Sequence, residues 1–290
     1  MNKIIVGIGE ILWDILPAGK QLGGAPMNFM YWADRFGGQV FTVSSVGDDE
    51  LGEEILLRLK NINLDTKFVQ KNNEYPTGTV DVEIDNAGKP EYIIHENTAW
   101  DFIRWNVGLK QLAEKTDAVC FGSLAQRSAT SEITINKFLE STNEKCIKLF
   151  DINLRQNYYN KKIIKSSLDK ASILKLNDDE LPVVGEMFGM SGSDEKIIQK
   201  LIDRFELDLV ALTRGGDGSM LISKNEILEH PGIKVDIVDT VGAGDSFSAA
   251  VVMGMLEGKT LTEINESANE LAAKVCMNHG GTGLVETGLA

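Results

Sequence analysis

The chain has 290 residues, 43% of them apolar, enough to bury a large core as one domain or as one domain with an appendage. Lysine and arginine number 29 against 43 aspartates and glutamates, a net charge of −14, which argues against nucleic acid as a partner but leaves room for a small anion held by local amides. Cys120, Cys146 and Cys276 are far apart, odd in number and in or beside apolar runs, the pattern of reduced core thiols in a cytoplasmic protein rather than of disulfides or a zinc site.

The short apolar run after Met1-Asn2-Lys3 does not make a signal peptide, and no stretch is long enough to span a membrane, so a membrane partner is not expected. Lys3 to Ile8 is a buried strand that delivers Gly9, Glu10 and then Asp14 to a strand end. After Gly23-Gly24, Pro26 opens a helix whose apolar face (Phe29, Met30, Trp32, Ala33, Phe36) ends at Gly37-Gly38. Val40 to Val46 is a second strand and Asp48 to Lys60 a second helix, so the chain opens βαβα.

The rhythm changes over roughly 65–104. Thr79 to Ile84 alternates with period two, Asp85-Asn-Ala-Gly-Lys-Pro90 makes a turn, and Glu91 to His95 returns, an antiparallel hairpin. With 13–22 it is expected to form a small β lid on a single domain spanning 1–290, placed to close over a site and exclude water. Alternation then resumes. Strands are expected at Ala118 to Gly122, Cys146 to Phe150, Ile173 to Leu176 and Leu209 to Thr213. Helices follow at about Ser131 to Ser141 and between the later strands. Ser219 to Ser223 and Glu226 to His230 form an antiparallel edge hairpin, and Leu261 to Met277 is a last amphipathic helix. The fold class is α/β, a doubly wound and mainly parallel sheet with helices on both faces.

Several strand ends carry polar groups: Asp14; Asp151 with Asn153 and Arg155; Asn177 with Glu180; Thr213 with Gly215. Taken singly, each is the ordinary signature of a helix cap or turn. In a parallel sheet, however, the carboxyl ends share one edge, so the clusters are expected to converge. The stretch Asp239-Thr-Val-Gly-Ala-Gly-Asp-Ser-Phe247 then feeds an apolar helix. The amides of Gly242, Ala243 and Gly244 can face negative oxygens there, helped by the helix dipole. Asp245 beside them does not suit anion binding itself, but it can accept a proton from an attacking hydroxyl. Together these suggest phosphoryl transfer.

Other patterns fail. Gly254-Met-Leu-Glu-Gly258-Lys259-Thr260 is one residue short of a P-loop and follows a helix, where it acts as a stop. Gly242-Ala-Gly244 lacks the third glycine of a dinucleotide fingerprint. His279-Gly280-Gly281 has no nucleophile elbow to accompany it.

These residues resemble the ribokinase-like (PfkB) carbohydrate kinases nearly end to end. Asp239 to Asp245 looks like that family's C-terminal signature, and Gly23-Gly24-Ala-Pro-Met-Asn28 like its N-terminal sugar-binding glycine pair and asparagine. The resemblance implies Asp245 as catalytic base and the Gly242, Ala243 and Gly244 amides as anion hole. It implies Asp14, Gly23, Gly24, Asn28, Asn153 and Arg155 around the sugar. Asn177, Thr213, Gly215, Gly218 and Thr240 would lie by the nucleotide. Glu180 would handle Mg2+ through water, and Asp239 and Val241 would border a monovalent-cation (K+) site. Gly9-Glu-Ile-Leu-Trp-Asp14, Glu96-Asn-Thr-Ala-Trp-Asp101 and Asp151-Ile-Asn-Leu-Arg155 look most like fructokinases. The implied activity is ATP-dependent transfer of the γ-phosphate to a sugar primary hydroxyl, most similar to that of fructokinase. Apart from the resemblance, a lid edge could pair with that of a second subunit and make a homodimer. Other sugars or sugar acids (2-keto-3-deoxygluconate, ribose) and a silent sugar-binding protein are the alternatives. Asp245 was expected to need no raised pKa, the helix dipole keeping it ionised.

Overall fold

A computed structural model describes residues 3–17, 19–84 and 90–282. The first third holds β1 (Ile4–Ile8), β2 (Leu12–Leu16), β3 (Gly19–Gly23), α1 (Ala25–Arg35), β4 (Gln39–Gly47), α2 (Glu50–Asn61), β5 (Val69–Asn72), β6 (Gly78–Ile84) and β7 (Pro90–Ile94). Then come α3 (Val107–Ala113), β8 (Ala118–Phe121), α4 (Ala129–Ser141), β9 (Ile147–Asp151), α5 (Lys161–Leu168), β10 (Ile173–Asn177), α6 (Glu180–Phe188) and α7 (Asp194–Phe205). The chain closes with β11 (Leu209–Thr213), β12 (Ser219–Ser223), β13 (Ile227–His230), α8 (Ala243–Glu257) and α9 (Leu261–Cys276). The turn expected at Asp85 to Lys89 lies outside the described residues.

Nine strands form one sheet in the order β13-β12-β11-β10-β9-β8-β1-β4-β5. It is parallel from β11 to β5, and β12 and β13 add the antiparallel hairpin at one edge. Alternate residues face opposite cores, as a pleated strand requires. On β10, Leu174 and Leu176 join the core that includes α3 to α7, whereas Ile173 joins the core that includes α1, α2, α8 and α9. Lys175 shares the second face. The sheet is therefore covered on both sides, which is why its parallel strands are nearly continuous apolar runs.

The second sheet has the order β3-β2-β6-β7. The hairpin expected near residues 79–95 forms as β6 against β7, antiparallel, whereas β5 pairs with β4 in the large sheet. β2 pairs in parallel with β6. One expectation is corrected here: Asp14 does not follow the end of β1 but sits in the middle of β2, opposite Gln21. Leu12-Trp-Asp-Ile-Leu16 is a strand of the small sheet, and it brings Asp14 to the large sheet's edge by the turn at Gly9–Ile11.

Helix starts differ in a way that matters for the site. Asp49, Asn106, Asn160 and Thr260 cap α2, α3, α5 and α9 by accepting a backbone N–H from the first turn. α1 and α8 start instead at Gly24 and Gly242, with no side-chain cap; in α1 Pro26 has no N–H and the Met27 and Asn28 amides turn back to the Gly24 carbonyl, so it is the first turn of α8 that keeps amides open to an incoming group. No helix among the described residues is long and apolar enough to cross a membrane.

Candidate active site

β9, β10 and β11 end at Asp151, Asn177 and Thr213, and the register sets Asp151 beside Lys175 and Asn177 beside Thr213. These clusters, remote in sequence, therefore meet along one edge, by the open start of α8. Gly242 has φ 80°, and a Cβ there would strike Gly281, so only glycine fits the turn into α8. Ser246 closes the first helical bond to the Gly242 carbonyl at 2.9 Å. The Ala243 amide is partly committed, donating to the Thr240 carbonyl at 3.3 Å. Among the described residues the amides of Gly242, Gly244 and Asp245 itself have no acceptor, so the Asp245 N–H joins the anion-binding set in addition to the three amides expected.

Asp245 Oδ2 accepts a hydrogen bond from Asn28 Nδ2 at 2.8 Å, tying the start of α8 to the second turn of α1. Burial pushes the Asp245 carboxyl up to about 6, with Asp151 adding to the rise; the Asn28 hydrogen bond and the charges of Lys175 and Arg155 oppose it. Crowding by protein and by a second carboxylate thus raises a carboxyl whose role needs no raised value, and it stays ionised at neutral pH.

Glu10, directly after β1, is buried, and its Oε2 has no partner among the described residues. Burial raises its carboxyl to about 7, Asp245 adding and Arg155 opposing. Asp14 rises to about 6, again chiefly by burial and against Arg155. Three acids and one guanidinium therefore share this part of the cleft. Gly23, at the end of β3, leaves space for Asp14 Oδ2, and Gly24 packs on the Glu10 backbone. Asn153 adopts φ 41°, a left-handed turn that asparagine tolerates, and Arg155 two residues on is exposed while its charge acts on Glu10, Asp14 and Asp245. Asp151 is oriented by Lys175, whose Nζ lies 3.1 Å from Asp151 Oδ1, while Ser248 Oγ donates to Asp151 Oδ2 at 2.9 Å.

On the other flank, Glu180 is held on both oxygens: the Leu154 amide donates to Oε1 at 2.8 Å and the Asn177 amide to Oε2 at 2.9 Å. Asn177 Oδ1 accepts from the Glu180 amide at 2.8 Å. The Asn-x-x-Glu pair is thus a closed reciprocal clasp. Its carboxylate is already engaged and is raised by burial, which suits outer contact with a hydrated ion better than direct ligation. Among the described residues no cluster of three or more metal-binding side chains occurs. Thr213 is followed by the turn Gly215 to Gly218, with φ 52° and 83° at its two ends, closed by Arg214 N–H to the Gly218 carbonyl at 2.7 Å. Asp239 accepts from the Val241 amide at 3.0 Å and the Gly280 amide at 2.9 Å, and Trp32 Nε1 donates to the Gly281 carbonyl at 2.9 Å. The segment 278–282 is thereby fastened beside Thr240 and the start of α8.

Beneath the small sheet, Arg127 makes a bidentate pair with Asp101 at 2.8 and 2.9 Å. It also donates to the His95 carbonyl and lies over the rings of Trp100 and Tyr158, at 4.0 and 4.6 Å. Tyr158 hydroxyl donates to the Ile94 carbonyl at 3.1 Å. The end of β7 is thus joined to the loop that carries Arg155. Glu10, Lys175, Ser248 and the Asp101–Arg127 pair were not singled out from sequence as site groups. Glu10 had a signal, an acid directly after a buried strand, but the others depend on burial that only the fold supplies.

Residues 18–287 match the pfkB family of carbohydrate kinases. An uncharacterized sugar kinase of Pyrococcus horikoshii is 28% identical over 297 residues, covering 96% of this chain and 91% of that protein. Its structure in complex with ATP superposes with a TM-score of 0.81 over 96% of this chain and 94% of the other. A fructokinase of Klebsiella pneumoniae is 28% identical over 269 residues, 88% of this chain and 85% of the relative. The structure of Xylella fastidiosa fructokinase with bound ATP shares the fold at a TM-score of 0.85, with 19% identity and coverage of 97% and 94%. With the uncapped start of α8 facing a shared carboxylate edge, and with this match over nearly the whole length, the chain belongs to the pfkB family of carbohydrate kinases and is a sugar kinase.

Proposed function

We propose that this sugar kinase transfers the γ-phosphate of ATP to the primary hydroxyl of fructose. The observation that carries the transfer reading is Asp245, held by Asn28 at the open start of α8, with unpartnered amides on the same turn. Asp245 accepts the hydroxyl proton as the oxygen attacks phosphorus in line, and the amides of Gly242, Gly244 and Asp245, with a weaker share from Ala243, take up charge on the phosphoryl oxygens. Its carboxyl, raised to about 6, is ionised at neutral pH yet closer to the proton it accepts than an exposed aspartate would be.

Asp14, Gly23, Gly24, Asn28, Asn153 and Arg155 surround the sugar. Asn28 spends its amide hydrogens on Asp245 and keeps an unpartnered Oδ1 for a hydroxyl. Asn177, Thr213, Gly215, Gly218 and Thr240 border the nucleotide. ATP as donor is supported by the ATP complex of the 28% identical Pyrococcus sugar kinase. Glu180 would hold Mg2+ through water, and the ion would supply positive charge to the phosphates when bound. Asp239 and Val241 border a K+ site, a reading that activity in KCl against choline chloride checks.

The small sheet of β2, β3, β6 and β7 serves as a lid on a single domain; its edge strands β3 and β7, with Tyr92 and Ile93 exposed on β7, offer a pairing edge for a homodimer. Sedimentation at rising concentration decides that point. The buried thiols of Cys120 and Cys146 suit a cytoplasmic setting.

Fructose is favoured by fructokinases among the relatives, including that of Klebsiella pneumoniae. A panel of fructose, ribose, 2-keto-3-deoxygluconate and tagatose phosphate with ATP, scored by kcat/KM, tests it. Fructose should rank first, and a place among the poorest substrates would overturn the assignment. A silent sugar-binding protein would release no ADP with any of them.

A further inference from the structure

A buried ammonium lies directly beneath the first turn of α8. Lys175, inside β10, is 8% exposed. Its Nζ is 3.1 Å from Asp151 Oδ1 on one side. On the other side, a Cβ added to Gly244 would come within 2.9 Å of it. Gly244 therefore leaves room for the ammonium as well as presenting an amide. An ammonium has three donors, and among the described residues Asp151 is the one acceptor for them. The remaining hydrogens thus belong to a group whose free side abuts the loop where phosphoryl oxygens would arrive. Ser248, one helical turn after Gly244, completes the arrangement by donating to Asp151 at 2.9 Å.

Stability does not account for this pair. Desolvating two charges costs about as much as their attraction returns, and an apolar pair of similar volume would hold β9, β10 and α8 together as well or better. Position accounts for it. A lysine is a compact point charge that can sit behind a thin backbone loop without displacing it, and in a site poor in water its field reaches the other face of that loop.

We propose that Lys175 is a positioning residue for phosphoryl transfer: anchored by Asp151, it supplies positive charge from behind the Gly242–Gly244 loop and, through Asp151 and Ser248, fixes the turn that carries Asp245. The inference rests on the reading of Asp245 as base. The titratable and polar groups facing this region are Glu10 after β1, Asn28 on α1, Cys120 on β8, Asp151 on β9, Arg155 on the following loop, Glu180 on α6, and Asp245 and Ser248 on α8. Among them Lys175 opposes the rise in the Asp245 carboxyl and Asp151 drives it.

The test compares wild type, Lys175→Met and the double variant Asp151→Asn/Lys175→Met, using MgATP with fructose. Each is scored by kcat, by the acid limb of the pH profile and by thermal unfolding. Lys175→Met leaves Asp151 unbalanced, so its kcat should fall by about 100-fold and its acid limb should move to higher pH. The double variant removes the orphaned carboxylate and should regain wild-type unfolding. Its acid limb should return to the wild-type position or below, while kcat stays at least about 10-fold down because the cation is gone. A double variant with near-wild-type kcat would reduce Lys175 to a structural residue and overturn the proposal, as would an unmoved acid limb in Lys175→Met. If that single variant does not fold, kcat of the double variant decides alone. Failure of the underlying readings looks different. Wild type inactive on fructose concerns the substrate only, and the same variants are then scored with 2-keto-3-deoxygluconate. Near-normal turnover in Asp245→Asn concerns the base, and the kcat comparison still stands.

Discussion

Asn28 and Asp245, 217 positions apart in the chain, are joined by a 2.8 Å hydrogen bond from Nδ2 to Oδ2. The bond orients the carboxylate and favours its charged form against burial. It also couples α1, which follows the glycine pair, to α8, which follows the anion loop, so the sugar side and the phosphate side of the cleft share one rigid element.

Removing that bond should therefore be felt most in acid. In Asn28→Ala the Asp245 carboxyl rises further, so less of it is ionised as the pH drops toward 6. The loss in kcat/KM should be about tenfold larger at pH 6 than at pH 8.5. A pH profile of the variant beside wild type reads this directly. A uniform loss across pH would mean that Asn28 contacts substrate without tuning the base.

Glu10 gives a stability prediction of defined sign. In the folded chain its carboxyl holds its proton up to about pH 7, against 4.5 for an ordinary glutamate free of the fold. Between those values the folded state binds more protons than the unfolded one, so this group's contribution to stability falls as pH rises through the window. Asp14 and Asp245, raised to about 6, act with the same sign. Glu10→Gln removes the ionisation and should gain about 3 kcal/mol on wild type in going from pH 4 to pH 8. Urea unfolding at the two pH values measures the difference, and an equal offset at both would contradict it.

The Asp101–Arg127 pair should be costly to halve. Both side chains are nearly inaccessible, at 3% and 7% exposure, so Arg127→Leu strands a buried carboxylate and should destabilise by about 3–5 kcal/mol. Adding Asp101→Asn should recover much of that loss. Because Arg127 also holds the His95 carbonyl, the single variant should in addition make the β7 end of the small sheet more sensitive to limited proteolysis.

How much of this was legible in the sequence follows from what each element buries. The parallel strands were legible because strands covered on both faces are apolar throughout, and the loop at 239–245 because two glycines and an acid before an apolar run have few other uses. The assignment of 13–22 to the small sheet was legible, but the place of Asp14 inside a strand was not, because Leu12-Trp-Asp-Ile-Leu16 lacks clean alternation and its parallel partner β6 lies more than sixty residues downstream. Lys175 looks like an ordinary polar interruption in Ile-Leu-Lys-Leu-Asn; only the register that sets it beside Asp151, with α8 above, makes it a buried charge. The raised pKa of Asp245 escaped for the same reason, since it depends on crowding by residues far apart in the chain.

The most direct test of the central claim is Asp245→Asn, assayed by ADP release with saturating ATP and sugar. The isosteric amide keeps the shape of the turn but cannot accept the hydroxyl proton. The account predicts a fall in kcat of about 10³-fold with KM for sugar and ATP changed only a few-fold; turnover within about tenfold of wild type would contradict it.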